Sequence, residues 1–353
     1  MSGPGRSRTA GGPMMGARGF RTRSAGRAVL PWLPLIRHLT PMHPLPSLAK
    51  RLRRERLWIK RDDLIAFGFG GNKIRGLEFL VGDALVRGAD TLITGAGPLS
   101  NHVRATAAVG AKYGLRTAAV YWGEDKGHES GNYALVRMLG AETTFTGCSD
   151  RSSVDRRMAS LAEELAKRGQ KPYVIPRGGA SPLGVVGHFL AVEELLKQFA
   201  KGAAMPDTVV LPVGSGATLA GWLLGTSYYR APWRVEAVTV SRPAAEAKRQ
   251  VLQLVRDTEK LLGIDTDVAE GSVRIHDGYI GAGYGAPSPE GSAAIRLAAV
   301  EEGVFLDPVY TGKTLAGLIA LCDRGYFDSS KHVLFLHTGG QPGLFVPGQY
   351  LWT

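Results

Sequence analysis

From residue 57 onward the sequence alternates short apolar runs with helix-length segments, and this alternation constrains the fold more than any other feature. Runs at 57–60, 91–94, 117–121, 173–175, 208–212, 235–240 and 332–336 read as strands, and segments at 74–87, 101–114, 132–139 and 216–225 read as helices. Strands alternating with helices over such a length give an α/β protein, a parallel sheet covered by helices. A chain of 353 residues suits two domains, or one large unit with an insertion. No internal repeat interrupts the pattern, and no apolar run of about 18 residues suggests a membrane span.

The formal charge of +12 hints at a polyanion partner, but its distribution argues otherwise. Residues 1–61 hold 14 lysines and arginines against one acid, Glu55, while the remainder is near neutral, with 29 basic and 30 acidic residues. Residues 1–27 are rich in Gly, Arg and Ser, lack acids and show little periodicity, which reads as a disordered basic tail. A transit peptide shares that composition but needs an amphipathic pattern that is missing here. Without an apolar core for a secretory signal, a cytoplasmic protein is expected. Nucleic-acid binding by the tail is the rival reading; no helix-turn-helix or aromatic-interleaved basic face supports it. Two cysteines, Cys148 and Cys322, make a disulfide framework unexpected, and neither has a partner at metal-ligand spacing.

In parallel sheets the chemistry gathers in loops at the carboxyl ends of the strands. Four such loops are unusual. Gly70-Gly71-Asn72-Lys73 sets a lysine at a helix start, where enclosure would make it a nucleophilic amine; alone, it is equally a turn with a solvated lysine. The loop 95–102 ends Leu99-Ser100-Asn101-His102 and opens a helix whose amides can hold a carboxylate, or it is an ordinary helix cap. Gly214-Ser215-Gly216-Ala217-Thr218 follows an apolar strand and suits a lone phosphate. It lacks a Walker lysine and the spacing of a dinucleotide fingerprint. His337-Thr338-Gly339-Gly340 ends the last strand and directs Thr338 toward the same cleft, where a hydroxyl can meet a pyridine nitrogen. Tyr284, and Tyr310 in Asp307–Lys313, sit among glycines on loops, placed to act as acids or to stack on a ring.

Taken together and in order, LWIKRDDLIAFGFGGNK at 57–73, SNH at 100–102, GSGAT at 214–218, DPVYTGK at 307–313 and HTGG at 337–340 resemble one family. It is the D-cysteine desulfhydrase and 1-aminocyclopropane-1-carboxylate deaminase group of pyridoxal-phosphate enzymes, and the resemblance covers residues 40–345. It implies a two-domain, three-layer parallel-sheet fold of the tryptophan-synthase-β type (fold type II). The implied large cofactor domain covers 28–75 and 180–353, and a small domain 76–179. It also implies a homodimer, pyridoxal 5′-phosphate as cofactor, a small amino-acid substrate and no metal.

Carried onto matching positions, the resemblance makes Lys73 the lysine that joins the cofactor aldehyde and moves protons at the substrate α-carbon. Asn101 would bond the cofactor's ring oxygen. Ser100, Asn101, His102 and Leu99 would face the substrate, with Ser100 also a proton-transfer candidate. Gly214, Ser215, Gly216, Ala217 and Thr218 would form the phosphate cup. Tyr284 and Tyr310 match the two active-site tyrosines, and Thr311 and Thr338 lie near the pyridine nitrogen.

Two positions divide the family. The deaminase branch has Tyr-Glu-Gly-Lys and His-Leu-Gly-Gly where this chain has Tyr310-Thr311-Gly312-Lys313 and His337-Thr338-Gly339-Gly340. Threonines cannot hold the ring nitrogen protonated as a glutamate would. A weaker electron sink favours loss of the α-proton and expulsion of a β leaving group, so the expected activity is α,β-elimination. In the desulfhydrase form, D-cysteine yields pyruvate, ammonia and hydrogen sulfide. The alternatives are 1-aminocyclopropane-1-carboxylate deamination, elimination from L-cysteate or another β-substituted alanine, and cofactor binding without turnover. Three departures bear on the substrate: Leu99 replaces the family's glutamine, Ala217 replaces a second glycine, and Gly187-His188 stands where Gly-Tyr is common.

Overall fold

The computed structural model describes residues 21–125, 127, 130–199 and 204–348. The chain opens with a two-stranded antiparallel hairpin, β1 (Arg21–Ala25) and β2 (Ala28–Trp32), turning at Gly26-Arg27. Residues 21–27 are therefore structured, where composition suggested disorder. Ala25 is buried in the core, the Arg27 amide donates to the Leu262 carbonyl at 2.8 Å, and the Arg23 guanidinium lies over the Trp32 ring. The Leu262 contact comes from a distant segment, which composition cannot register. Residues 1–20 of the expected tail lie outside the described residues.

Next come β3 (Met42–Pro44), α1 (Pro46–Arg51), β4 (Arg56–Arg61) and α2 (Lys73–Val86). Then follow β5 (Thr91–Ala96), α3 (Asn101–Tyr113), β6 (Arg116–Tyr121), α4 (Gly131–Met138), β7 (Glu142–Phe145), α5 (Ser152–Lys167) and β8 (Pro172–Val174). The last part holds α6 (Pro182–Phe199), β9 (Thr208–Val213), α7 (Ala217–Tyr228), β10 (Arg234–Thr239), α8 (Ala244–Leu262) and β11 (Arg274–His276). It closes with α9 (Pro289–Glu302), α10 (Thr311–Asp323) and β12 (His332–His337).

Two parallel sheets organise the molecule. The larger has the order β11-β10-β9-β12-β4-β3, with only β3 antiparallel, and the smaller has the order β7-β6-β5-β8. Successive side chains of a strand face opposite sides, and the sequence uses both. Val209, Leu211 and Val213 of β9 join Leu334 and Leu336 of β12 in a core against α6, α7 and α8. Val210, Val333 and Phe335 point the other way, into a core with α1, α9 and α10. The smaller sheet is also covered on both faces: Ala119 and Tyr121 of β6 pack with α3 and α4, while Ala118 and Val120 pack with α5. Strands buried on both faces read as continuous apolar runs, which is how β9 and β12 appear in the sequence.

Helices α5, α6, α8, α9 and α10 and strands β7 and β11 go beyond the elements read from sequence. The signal for α8 was present: Ala247, Val251, Leu254, Val255, Thr258 and Leu262 are buried along one stripe. A buried polar cluster pins β4 to α2 and α6. Lys60 Nζ lies 2.6 Å from Glu194, and Arg75 bonds both Asp62, at 2.7 Å, and Glu194, at 2.9 Å. Arg75 is two residues past Lys73, so the cluster fixes the first turn of α2. Among the described residues no helix is long and apolar enough to cross a membrane.

Candidate active site

The carboxyl ends of β4, β5, β9 and β12 deliver the four unusual loops to one place. After β4 the chain makes two short 3-10 turns before α2. At Gly70, with φ of 72°, a β-carbon would collide with the Asp63 carbonyl, so the tight return that starts α2 requires glycine. The amide of Asn72 donates to the Thr338 carbonyl at 3.0 Å, which joins this loop to the end of β12.

Lys73 is enclosed. Among the described residues its Nζ bonds only the Gly178 carbonyl, at 3.3 Å, and burial lowers its pKa to about 8. It borders two adjoining clefts. The first is lined by Asn72, Asn101, Gly214, Ser215, Gly216, Thr218, Tyr310 and Thr338, together with Pro212, Val213 and Leu219. Its floor is the start of α7, where the first intrahelical bond runs from Ala220 N to Gly216 O at 2.9 Å. The amides ahead of it are aimed out of the helix end, where the helix dipole favours an anion. Gly214 allows close approach, because a β-carbon there would meet the Tyr310 ring at 3.1 Å. Asn72 Nδ2 donates to Thr218 Oγ1 at 2.9 Å, fixing the hydroxyl at the rim of this cup.

The second cleft adds Ser100, His102, Trp122, Arg151, Arg177, Ser241, Arg242 and Tyr284 to Lys73, Gly214, Ser215 and Tyr310. Ser100 caps α3 by accepting the Val103 amide at 3.3 Å. Burial, with Lys73 nearby, lowers the His102 pKa to about 3, so its ring is neutral. His102 Nε2 pairs with Thr94 Oγ1 at 3.1 Å, and its buried Nδ1 has no hydrogen-bond partner among the described residues. Asn101 accepts from Asn132 at 2.8 Å, and Asn132 in turn accepts from Arg104 at 2.8 Å. Arg104 also donates to the Gly68 and Gly70 carbonyls, which links the Asn101 helix to the lysine loop. The Tyr284 and Tyr310 hydroxyls are 2.8 Å apart. Burial raises the pKa of each, Tyr310 strongly, so both hold their protons at neutral pH.

Three of the residues singled out in the sequence do not line either cleft. Thr311 is buried, and its hydroxyl donates to Asp307 Oδ1 at 2.7 Å while its amide donates to the same oxygen at 2.8 Å. It is thus the anchor of α10, and of the threonine pair only Thr338 borders the first cleft. Leu99 packs its side chain against Gly285 and gives its carbonyl to Asn132 at 2.8 Å. Ala217 is buried at the first position of α7 and offers the cup a backbone amide. Conversely, Asn72, Trp122, Arg151, Arg177, Ser241 and Arg242 join the clefts without having been picked from sequence. Only Asn72, inside the Gly-Gly-Asn-Lys turn, carried a local signal.

The fit to a phosphorylated aldehyde is good. An amide cup with two hydroxyls, Ser215 and Thr218, sits within one cleft of a desolvated lysine, and His102 retains an unused buried nitrogen. A lysine facing such a cup at the mouth of a parallel sheet defines a site for a pyridoxal-phosphate cofactor.

Comparison with known proteins agrees. The family model described as "Pyridoxal-phosphate dependent enzyme" matches residues 35–339, and the chain belongs to that family. A Pyrococcus abyssi protein provisionally named 1-aminocyclopropane-1-carboxylate deaminase is 44% identical over 319 residues, 90% of this chain and 94% of that protein. The D-cysteine desulfhydrase of Salmonella choleraesuis is 40% identical over 321 residues, 90% of this chain and 96% of the relative. A crystal structure of an ACC deaminase homologue superposes with a TM-score of 0.83 at 38% identity, covering 90% of this chain and 94% of that one. A fungal L-serine ammonia-lyase from Rhizomucor miehei, at 20% identity and a TM-score of 0.62 over 86% of this chain and 94% of that one, shares the fold. The protein is thus a pyridoxal-phosphate-dependent enzyme of fold type II, within the group that holds the desulfhydrases and deaminases.

Proposed function

We propose that the enzyme is a lyase performing α,β-elimination on a β-substituted alanine, in the manner of a D-cysteine desulfhydrase. One observation carries the choice over ring-opening deamination. No carboxylate lines the cofactor cleft among the described residues, and the side chain at the end of β12 is Thr338. A hydroxyl leaves a pyridine nitrogen neutral, whereas ring opening calls for the stronger sink that an acid would maintain.

The residues divide the work as follows. Lys73 would hold the cofactor aldehyde, Asn101 would bond its ring oxygen, and the 214–218 cup with Ser215 and Thr218 would hold its phosphate. When bound, the cofactor accepts the electron pair left at the substrate α-carbon. The start of α3, with Ser100 and the neutral His102, receives the substrate carboxylate. Lys73, or Ser100 beside it, takes the α-proton. The Tyr284–Tyr310 pair, which keeps its protons at neutral pH, offers a hydrogen-bond donor and a proton to the departing sulfur. The enamine released hydrolyses to pyruvate and ammonia.

The reading includes a cytoplasmic homodimer. Support for the dimer comes from an apolar groove lined by Ile295, Ala299, Val300, Phe305, Leu344 and Phe345; light scattering that gives the monomer mass would remove it. The activity is tested by assaying purified holoenzyme with D-cysteine and with 1-aminocyclopropane-1-carboxylate. Pyruvate and sulfide from the first are expected. Formation of 2-oxobutyrate from the second, with no pyruvate from the first, would overturn the assignment.

A further inference from the structure

Arg104, on α3, is buried and has no carboxylate partner among the described residues. Burial lowers its pKa to about 10, so it stays protonated at neutral pH, and a guanidinium can only donate. Its Nε donates to Asn132 Oδ1 at 2.8 Å, and its two terminal nitrogens donate to the carbonyls of Gly68 and Gly70.

This donor-only group settles which way two amides face. The oxygen and nitrogen of an amide are alike in shape, so their placement follows from their partners. Asn132, on α4, must give its oxygen to Arg104. Its Nδ2 then donates to the Leu99 carbonyl and to Asn101, both at 2.8 Å. Asn101 must accept with Oδ1, and the arm left for the first cleft, which Asn101 lines, is Nδ2. The same guanidinium accounts for the lysine loop. Residues 68–71 all have positive φ, of 55°, 68°, 72° and 97°. Three are glycines, but Phe69 is not, and it is 62% exposed, so packing of its ring does not hold it in the left-handed region. The carbonyls of its two neighbours are the ones that Arg104 takes. Holding both on one guanidinium stabilises the left-handed run, and Lys73 opens α2 two residues after it.

We infer that Arg104 is a positioning residue for two parts of the cofactor site. Through Asn132 it presents Asn101 to the cofactor's ring oxygen only as a hydrogen-bond donor, and through Gly68 and Gly70 it holds the loop that carries Lys73. The first part rests on the assignment of that oxygen to Asn101 above. A donor favours the ionised form of the ring oxygen, whereas a reversed amide would offer an acceptor and favour the protonated form.

The test uses holoenzyme without substrate and reads the absorbance of the bound cofactor, whose ionised ring oxygen absorbs at longer wavelength than its protonated one. The ratio of the two bands is the readout, with cofactor content measured separately after release in base. Asn132→Asp keeps an acceptor for Arg104, which supplies the counter-charge a buried carboxylate needs, but it cannot donate. Asn101 must then turn Nδ2 toward it and Oδ1 toward the cleft. The long- to short-wavelength ratio should fall by about tenfold or more, the scale of a hydrogen bond to a charged group. Asn101→Leu, which removes the amide, should lower the ratio as well. A merely structural role would lower cofactor content and leave the ratio unchanged. An unchanged ratio in Asn132→Asp, with a lowered ratio in Asn101→Leu, would overturn the relay. An unchanged ratio in Asn101→Leu would remove Asn101 from the ring oxygen, and the first part of the inference with it. The second part is decided in cofactor-free protein by hydrogen exchange over residues 66–73, read by mass spectrometry. Arg104→Lys keeps the charge but loses the planar fork that spans two carbonyls. Exchange should speed up by about tenfold or more in Arg104→Lys and keep the wild-type rate in Asn132→Asp. Wild-type exchange in Arg104→Lys would overturn the hold on the lysine loop.

Discussion

The hydroxyls of Tyr284 and Tyr310 are hydrogen-bonded at 2.8 Å, although one stands on a glycine-rich loop and the other caps α10. Lys313, one turn into α10, donates to the Ile280 and Gly283 carbonyls at 2.7 and 3.0 Å and so holds the Tyr284 loop against Tyr310. The pair is therefore built by the DPVYTGK segment acting on a loop about 30 residues before it. Tyr310 borders both clefts and Tyr284 only the second.

That arrangement predicts a dependence on the leaving group. A thiol departs more readily with a proton, whereas chloride needs none. Tyr310→Phe should lower kcat for D-cysteine by about 10²–10⁴-fold, the range of general acid catalysis, and lower it far less for β-chloroalanine. Steady-state rates with the two substrates provide the check. An equal fall for both would mean that the hydroxyl positions the substrate and does not protonate the leaving group.

Lys73 carries a pH signature. Burial lowers its amine to about 8, and only the unprotonated amine attacks an aldehyde. Capture of pyridoxal phosphate by cofactor-free protein should therefore speed up about tenfold per pH unit below 8 and level off above it. Stopped-flow absorbance follows this directly. Lys73→Ala should show no visible band of covalently held cofactor at any pH, and retention of that band would remove Lys73 from the role.

The sequence revealed the site unevenly, for a physical reason. Lys73, Ser100, Asn101, the 214–218 cup and Thr338 stand at strand ends beside glycines, and their turn chemistry is local, so it is readable from neighbours. Arg151, Arg177 and Arg242 come from the start of α5, a 3-10 turn and the end of β10, and no local pattern separates them from solvated arginines. Only tertiary packing brings them together. Thr311 fails in the opposite direction. Its motif is right, but Asp307, four residues earlier, claims its hydroxyl for the start of α10. The α/β class followed from the alternation, whereas the β1–β2 hairpin did not, because its partners, such as Leu262, are far away in sequence.

Asn72 links the lysine loop to the phosphate cup. Its Nδ2 donates to Thr218 Oγ1 at 2.9 Å, and both residues are buried. Asn72→Leu removes the donor and leaves the hydroxyl free to rotate away from an anion. Cofactor affinity should fall by about 1–2 kcal/mol, roughly 5–30-fold, as for a lost buried hydrogen bond. Equilibrium dialysis against pyridoxal phosphate measures it. Thr218→Val should lose a similar amount, and the double variant should lose little more than either single one, since the two share one interaction.

Glu78, on α2, ties stability to pH. Its Oε1 accepts the amides of Leu35 and Ile36 at 2.9 and 2.8 Å, and burial raises its pKa from 4.5 to about 7. Folding therefore increases this group's affinity for a proton. Below about 4.5 it is protonated in both states and adds no pH dependence. Between about 4.5 and 7 the folded form holds a proton that the unfolded form has released, so stability falls as pH rises, and above 7 the full penalty of the buried charge is present. Integrated over the shift, that penalty is up to about 3 kcal/mol. Glu78→Gln keeps the acceptor oxygen and stays neutral at every pH. Urea denaturation at pH 5 and pH 8.5 should show the variant gaining on the wild type as pH rises, with nearly equal midpoints at pH 5 and a higher midpoint for the variant at pH 8.5. A variant less stable than wild type at pH 8.5 would show that the carboxylate is favoured there, through its two amides and the nearby Arg75, and that burial does not control its charge.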